Sequence, residues 1–250
     1  MRSFNQAHIT ILLITVAFYA VTMFAVSKLS RRGQNVVFLL GALLCAGGIF
    51  FRYGMGLRTS GELDLQTLGF QMLQVCNFNL VLVLLMLVPK FELARQYSIF
   101  FSMFAASTAL ISLHSDFANC NWYDTTFLNS WCNHVFAIAL PLWMLAAGRL
   151  KPQKKYILPV TACVAAYFVV VYGCTEWLHA TELLPQTKTF SFVYDPGGIG
   201  LLEWLYQLIP VPFFYLVPLG LPMVAFFWLL TWIFRNYSVQ PFVQKKKKHF

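Results

Sequence analysis

The sequence predicts an all-α polytopic membrane protein, seven transmembrane helices in one bundle and one domain. Three observations predict it. Hydrophobic residues make up 59% of the 250 and charged residues 11%, where a soluble domain carries about a quarter charged residues. Seven runs are long and apolar enough to span, a helix needing about 20 such residues. The connecting loops alternate in charge, with fourteen of eighteen Lys and Arg on one side and eight of nine acids on the other.

The runs cover 9–27, 35–52, 67–88, 96–113, 130–148, 157–177 and 212–234. The first is too long for a signal-peptide core, and Lys28, Arg31 and Arg32 follow it where a small-residue cleavage site would stand. Lys90 and Arg95 follow the third run, and Arg149, Lys151, Lys154 and Lys155 follow the fifth. Arg235 and Lys245 to Lys248 mark 236–250 as a basic tail. The other side holds Glu62, Asp64, Asp116, Asp124, Glu176, Glu182, Asp195 and Glu203 with only Arg2, Arg52, Arg58 and Lys188. The positive-inside rule then puts the N-terminus out and the C-terminus in.

The net charge of +9 is thus read as a topology signal with no nucleic-acid partner. The Lys245 to Lys248 cluster is expected to attract anionic lipid. Trp122, Tyr123, Trp131, Trp177, Trp204 and Tyr206 read as an interfacial aromatic belt. The long loop 178–211, with Asp195-Pro196-Gly197-Gly198 and the apolar stretch Ile199 to Ile209, reads as an interfacial or re-entrant extracytoplasmic element. No internal or inverted repeat is visible, which argues against a transporter. The six cysteines include no CxxC pair, so no metal site and no cofactor are expected. Whether Cys120, Cys132 or Cys174 pair at the outer face stays open.

Two reactive side chains share the outer half of this map. Cys76 lies about nine residues below the outer end of run three, ~14 Å, and His134 four or five residues below that of run five, ~7 Å. A Cys and a His on adjacent helices can act as nucleophile and general base. A thiol among Leu, Val and Phe stays protonated and inert without such a base. Gln71, Gln74, Asn77 and Asn79 accompany the Cys, and Ser130 and Asn133 the His. These residues admit two readings. They are interhelical hydrogen-bonding glue, or the polar support of a reactive site that binds the oxyanion of a tetrahedral intermediate. Glu176, Asp195 and Glu203 are the candidates to orient His134.

Three blocks carry a resemblance: Arg58 through Val88 around Gln74-Val75-Cys76-Asn77, Leu128-Asn129-Ser130-Trp131-Cys132-Asn133-His134, and Tyr194-Asp195-Pro196 through Leu216. In this order they resemble the YwaF-like bacterial integral membrane proteins and a related eukaryotic multi-pass phospholipid acyltransferase. The latter resemblance implies a Cys acyl carrier at Cys76 and a His at His134. A more distant group, the androgen-induced fatty-acid-ester hydrolases, uses Thr and His similarly. The expected protein is a membrane-embedded acyltransferase or lipid-ester hydrolase. It acts on an outer-leaflet phospholipid or lipoprotein acyl ester, in a bacterial cytoplasmic membrane with its active face outward. The alternative is a non-enzymatic transporter, sensor or assembly partner with a polar intramembrane cavity.

Overall fold

An apolar run in a medium without water has one local solution, because each backbone N–H and C=O needs a partner within the protein. The computed structural model describes residues 5–60, 70, 72–113, 120–186 and 189–236; these are predominantly helical, and no strand occurs among them. In chain order the helices are α1 (Gln6–Lys28), α2 (Arg31–Ser60), α3 (Val75–Met86) and α4 (Glu92–Tyr97). A π-helical segment (Ser98–Ser102) leads into α5 (Met103–Ile111), and α6 (Thr125–Ala146) follows. A 3₁₀ turn (Lys154–Tyr156) opens α7 (Ile157–Ala180), then comes α8 (Gly200–Leu208), and a second 3₁₀ segment (Phe214–Leu219) opens α9 (Gly220–Ile233). Arg2, Glu62, Asp64, His114, Asp116, Lys188 and the basic tail from residue 237 lie outside the described residues.

The all-α class holds, while the count of seven spans is not shown. Among the described residues three stretches are long and apolar enough to cross a bilayer: Gln6–Lys28, Lys154–Ala180 and Phe214–Ile233. Val75–Met86 and Ser130–Ala146 are shorter apolar helices. In two of the predicted runs the helix is interrupted. α3 holds 12 residues, ~18 Å at 1.5 Å per residue, because the chain turns at Leu73 and Gln74. Run four is divided by the buried π segment, where Phe100 stacks on Phe227 of α9 at 4.9 Å.

α6 is the spine of the bundle, and α1 lies along it on a ladder of side-chain hydrogen bonds. Trp131 Nε1 donates to Thr15 Oγ1 (3.1 Å), Tyr19 Oη to the Val135 carbonyl (3.3 Å) and Trp143 Nε1 to Thr22 Oγ1 (2.9 Å). His8, wholly buried, bonds through Nε2 to the Leu110 carbonyl of α5 (2.8 Å). Trp131 is therefore an interior residue and not part of an interfacial belt, because α6 begins five residues before the predicted run. α2 crosses α6 at Gly41, where a Cβ would meet the Trp143 ring at 2.9 Å. Only a small residue permits that approach.

α6 ends on Gly148, whose φ of 67° is the left-handed closing geometry. Arg149 N–H donates back to the Met144 carbonyl at 2.8 Å. The turn buries the Arg149 guanidinium, which donates through Nε to Gln34 Oε1 at 3.3 Å. Its carbonyl accepts from Arg95, which also pairs with Glu92 at 2.8 Å. Gln96 and Gln153 each donate to Glu92 Oε1 at 2.8 Å. Glu92, the lone acid on the basic side of the sequence map, is thus the hub joining α4 to the turn after α6. Glu92→Ala removes the carboxylate that pairs with the buried Arg95 guanidinium. Because Glu92 is a quarter exposed, the expected loss is about 2 kcal/mol, below the range for a fully buried pair. It is measurable as a lowered Tm in detergent, with Glu92→Gln losing less. An unchanged Tm for Glu92→Ala would mean the hub holds nothing together.

Candidate active site

The polar residues of the third and fifth runs meet. Cys76 is the second residue of α3, His134 lies on α6, and His134 Nε2 is 3.2 Å from Cys76 Sγ. The other ring nitrogen, Nδ1, lies 2.7 Å from the Ser130 carbonyl one turn earlier. A carbonyl only accepts, so Nδ1 carries the hydrogen and Nε2 of the neutral ring presents a lone pair to the thiol.

Both residues sit at unexpected places along their helices. The apolar run predicts a helix from residue 130, but α6 begins at Thr125 behind Asp124, whose extended backbone (φ −65°, ψ 133°) makes it the N-cap position. His134 is therefore nine residues in, ~14 Å from the helix start instead of ~7 Å. Cys76 moves the other way, into the first turn of α3, where the positive end of the helix dipole favours a negative charge. Gln74 precedes α3 without capping it through its own side chain.

The break at Leu73 and Gln74 is closed from the long loop. Ser191 Oγ accepts from the Val75 N–H (2.8 Å) and donates to the Leu73 carbonyl. Its own N–H donates to Gln74 Oε1 (3.1 Å). Tyr167 of α7 adds a second donor to the Leu73 carbonyl (3.0 Å), with its ring stacked on Phe78 at 4.6 Å. Neither Ser191 nor Tyr167 stands in a spacing or motif that points to this contact. The one local signal is a hydroxyl between two aromatics, Phe190-Ser191-Phe192, in a loop read as interfacial or re-entrant.

The pair faces a cavity of about 710 Å3. Gln74, Cys76, Asn77, Ser130, Asn133, His134 and Ser191 contribute to its lining, and most of the remainder is apolar, including Leu80, Phe101, Phe104, Phe168, Leu202 and Met223. The sequence-selected support residues Gln74, Asn77, Ser130 and Asn133 thus share one space. Asn79 does not: its Oδ1 accepts from Tyr97 Oη at 2.9 Å, so it serves as glue between α3 and α4. Gln71 lies outside the described residues.

None of the three acids chosen to orient His134 lines this cavity. Glu176 and Asp195 face a separate space of about 470 Å3 with His179 and Tyr194. Glu176 accepts from Tyr194 Oη, and burial together with that carboxylate pushes the phenol above its ordinary range. Asp195 accepts from Thr189 Oγ1 (2.7 Å) and the Gly197 N–H (2.9 Å), and Glu203 from the Gly198 N–H (3.2 Å). Glu176 and Asp195 are exposed, as expected where a charge in apolar surroundings costs several kcal/mol. A backbone carbonyl orients His134 in their place. All six cysteines, Cys120, Cys132 and Cys174 among them, are free thiols. No group of three or more potential metal ligands occurs among the described residues.

A family profile matches residues 3–231, nearly the whole chain and both reactive side chains with it. The chain belongs to the TMEM164 family. It is accordingly a membrane protein, and this family, not the YwaF-like one, is what the match shows. No curated protein and no solved structure matches the chain.

The geometry yields a reactivity prediction. A base at 3.2 Å is expected to make Cys76 react with a lipid-like electrophile much faster than fully buried Cys45. His134→Ala should slow Cys76 about 100-fold, the lower range for a positioned general base. Equal rates for the two cysteines, or an unaltered rate in His134→Ala, would sink the assignment of His134 as base.

Proposed function

We propose that this protein is a membrane-embedded acyltransferase or lipid-ester hydrolase with Cys76 as nucleophile and His134 as its base. The observation that carries the reading is the 3.2 Å approach of His134 Nε2 to Cys76 Sγ, with the Ser130 carbonyl holding the imidazole in the tautomer that can accept the thiol proton. The largely apolar cavity beside it is of a size that takes drug-sized ligands, roughly 300–1,000 Å3. Its chemistry suits a fatty acyl chain.

In the first half-reaction the Cys76 proton passes to His134 Nε2 and the sulfur attacks the acyl carbonyl carbon of a phospholipid or lipoprotein ester. Hydrogen-bond donors that stabilise the tetrahedral oxyanion are each worth roughly 3–4 kcal/mol when well placed. Asn77 and Asn133 supply amides in the same cavity. Collapse breaks the ester C–O bond, and the departing alkoxide takes the proton from His134, leaving a thioester on Cys76. In the second half-reaction His134 deprotonates an incoming lysophospholipid hydroxyl or a water. That oxygen attacks the thioester, and the sulfur leaves and regains its proton.

The seven-span topology, N-terminus out and C-terminus in, belongs to this reading. The charge split supports it, and it turns the Cys76 end of the cavity away from the basic loops. Substrate then comes from the outer leaflet. In the bacterial setting that the YwaF-like blocks imply, that is the outer face of the cytoplasmic membrane. The tail lysines 245 to 248 would rest on anionic lipid at the inner face.

Two measurements test these proposals. Lipid mass spectrometry of cells carrying Cys76→Ala is expected to show loss of one set of acyl-phospholipid species or accumulation of the corresponding lyso or ester form. An unchanged phospholipid and lipoprotein acyl profile would favour a ligand-binding, sensing or transport role for the cavity. A tag at the N-terminus is expected to react with membrane-impermeant reagents on intact cells while a C-terminal tag is protected. The reverse pattern would overturn the outward-facing site.

A further inference from the structure

Ser191 lies in a loop 116 residues beyond Val75 in sequence, yet it bonds to both sides of the break that precedes Cys76. A hydroxyl has one proton to give and lone pairs to receive. Here the proton goes to the Leu73 carbonyl and a lone pair takes the Val75 N–H. One side chain thus satisfies the carbonyl before the break and the first N–H after it. Gln74, the residue in the N-cap position, returns no side-chain bond to α3 and instead accepts from the Ser191 N–H. The helix that carries Cys76 is therefore capped from outside itself.

The loop is held in that pose against its own preference. Ser191 and Phe192 have φ of 50° and 60°, the left-handed region that non-glycine residues rarely occupy. Such strain persists only where surrounding contacts over-determine it. Here Tyr215 Oη donates to the Phe192 carbonyl, and the Phe213 N–H to the Val193 carbonyl. Ser191 is also 1% exposed and lines the cavity beside Cys76.

We propose that Ser191 is a positioning residue. By capping the first turn of α3 from the long loop, it fixes where that turn begins and so sets Cys76 Sγ against His134 Nε2. This rests on Cys76 being the nucleophile of the proposed reaction. Ser191 gives its one proton to the Leu73 carbonyl, so it acts through Cys76 and not on the substrate. Tyr167, the second donor to that carbonyl, backs it up.

The test is the rate at which a long-chain N-alkyl maleimide labels Cys76 in the full chain in membranes. Ser191→Ala is expected to slow labelling roughly tenfold, the scale of losing a helix cap. Ser191→Gly, which relieves the backbone but lacks the hydroxyl, should slow it as much. In a His134→Ala background the Ser191→Ala change should slow labelling less than about twofold, because the partner it aligns is gone. A wild-type rate in Ser191→Ala, or equal slowing in both backgrounds, overturns the proposal, the latter pointing to general loosening. If the Ser191 variants do not accumulate, Tyr167→Phe takes their place, since it removes one donor and keeps the ring on Phe78. It should slow labelling about two- to threefold with His134 present and not without it. Any other pattern overturns the proposal. An unaltered lipid profile in Cys76→Ala would defeat the acyl-transfer reading alone, because the labelling cycle reads geometry without turnover.

Discussion

Every helix here depends on one constraint: backbone polar groups away from water must find partners inside the protein. Over most of the chain the helix supplies them by itself. At Leu73 and Gln74 it does not, and side chains from α7 and the 189–199 loop reach in to close the gap. That interruption gives the site its character. Had the run 67–88 continued as an unbroken helix, Cys76 would sit with its own N–H tied into the ladder and no helix dipole directed at it. With the break, the thiol occupies the first turn, beside loop residues that otherwise would have no reason to enter the bundle.

The same constraint explains why the rest of the structure is rigid where it needs to be. α6 must hold His134 in register with a cysteine 58 residues away in sequence, and it is fixed at both ends. Trp131, near its start, and Trp143, near its end, peg it to α1 through Thr15 and Thr22. Just past its end the Gly148 turn and the Glu92 hub lock it to α4. Arg149 is among the most deeply buried side chains in the protein, which polar partners alone make tolerable. Basic residues that a topology argument treats as interchangeable counters thus divide into two kinds. Arg95 and Arg149 are structural, and Lys28 or Lys155 are exposed.

How legible this was in the sequence depended on the range of the interaction. Hydropathy reports on the solvent around each segment, so the helical runs could be read directly. The Cys76 and His134 pairing was also within reach, since two reactive residues amid amides stand out in apolar helices. Asn79 had the same local appearance as Asn77 and turned out to bond Tyr97. Two residues apart on a helix, the pair point to opposite faces, Asn77 to the cavity and Asn79 to Tyr97. The start of α3 at Val75 was the hidden part, because Ser191 meets it from a loop with no periodicity or spacing to betray the contact. The orienting group failed for another reason. The partner of His134 is a backbone carbonyl, that of Ser130, and a backbone carbonyl stands at every position of every sequence.

The choice of a carbonyl over a carboxylate follows from the chemistry proposed for the site. Serine hydroxyls need a strongly supported base, and a buried acid can stabilise the imidazolium that forms. A thiol ordinarily ionises near pH 8.5 and an imidazole near 6.5, so proton transfer between them is only about two units uphill before the helix dipole is counted. The acid would contribute little to that step and would cost several kcal/mol to hold uncompensated beside an acyl chain. A neutral carbonyl fixes the tautomer without that cost. The absence of Glu176, Asp195 and Glu203 from the cavity is therefore consistent with cysteine chemistry in an apolar chamber. The three acids lie outside the chamber instead, on the end of α7, in the loop after it and at the start of α8, where Glu176 and Asp195 are exposed to water.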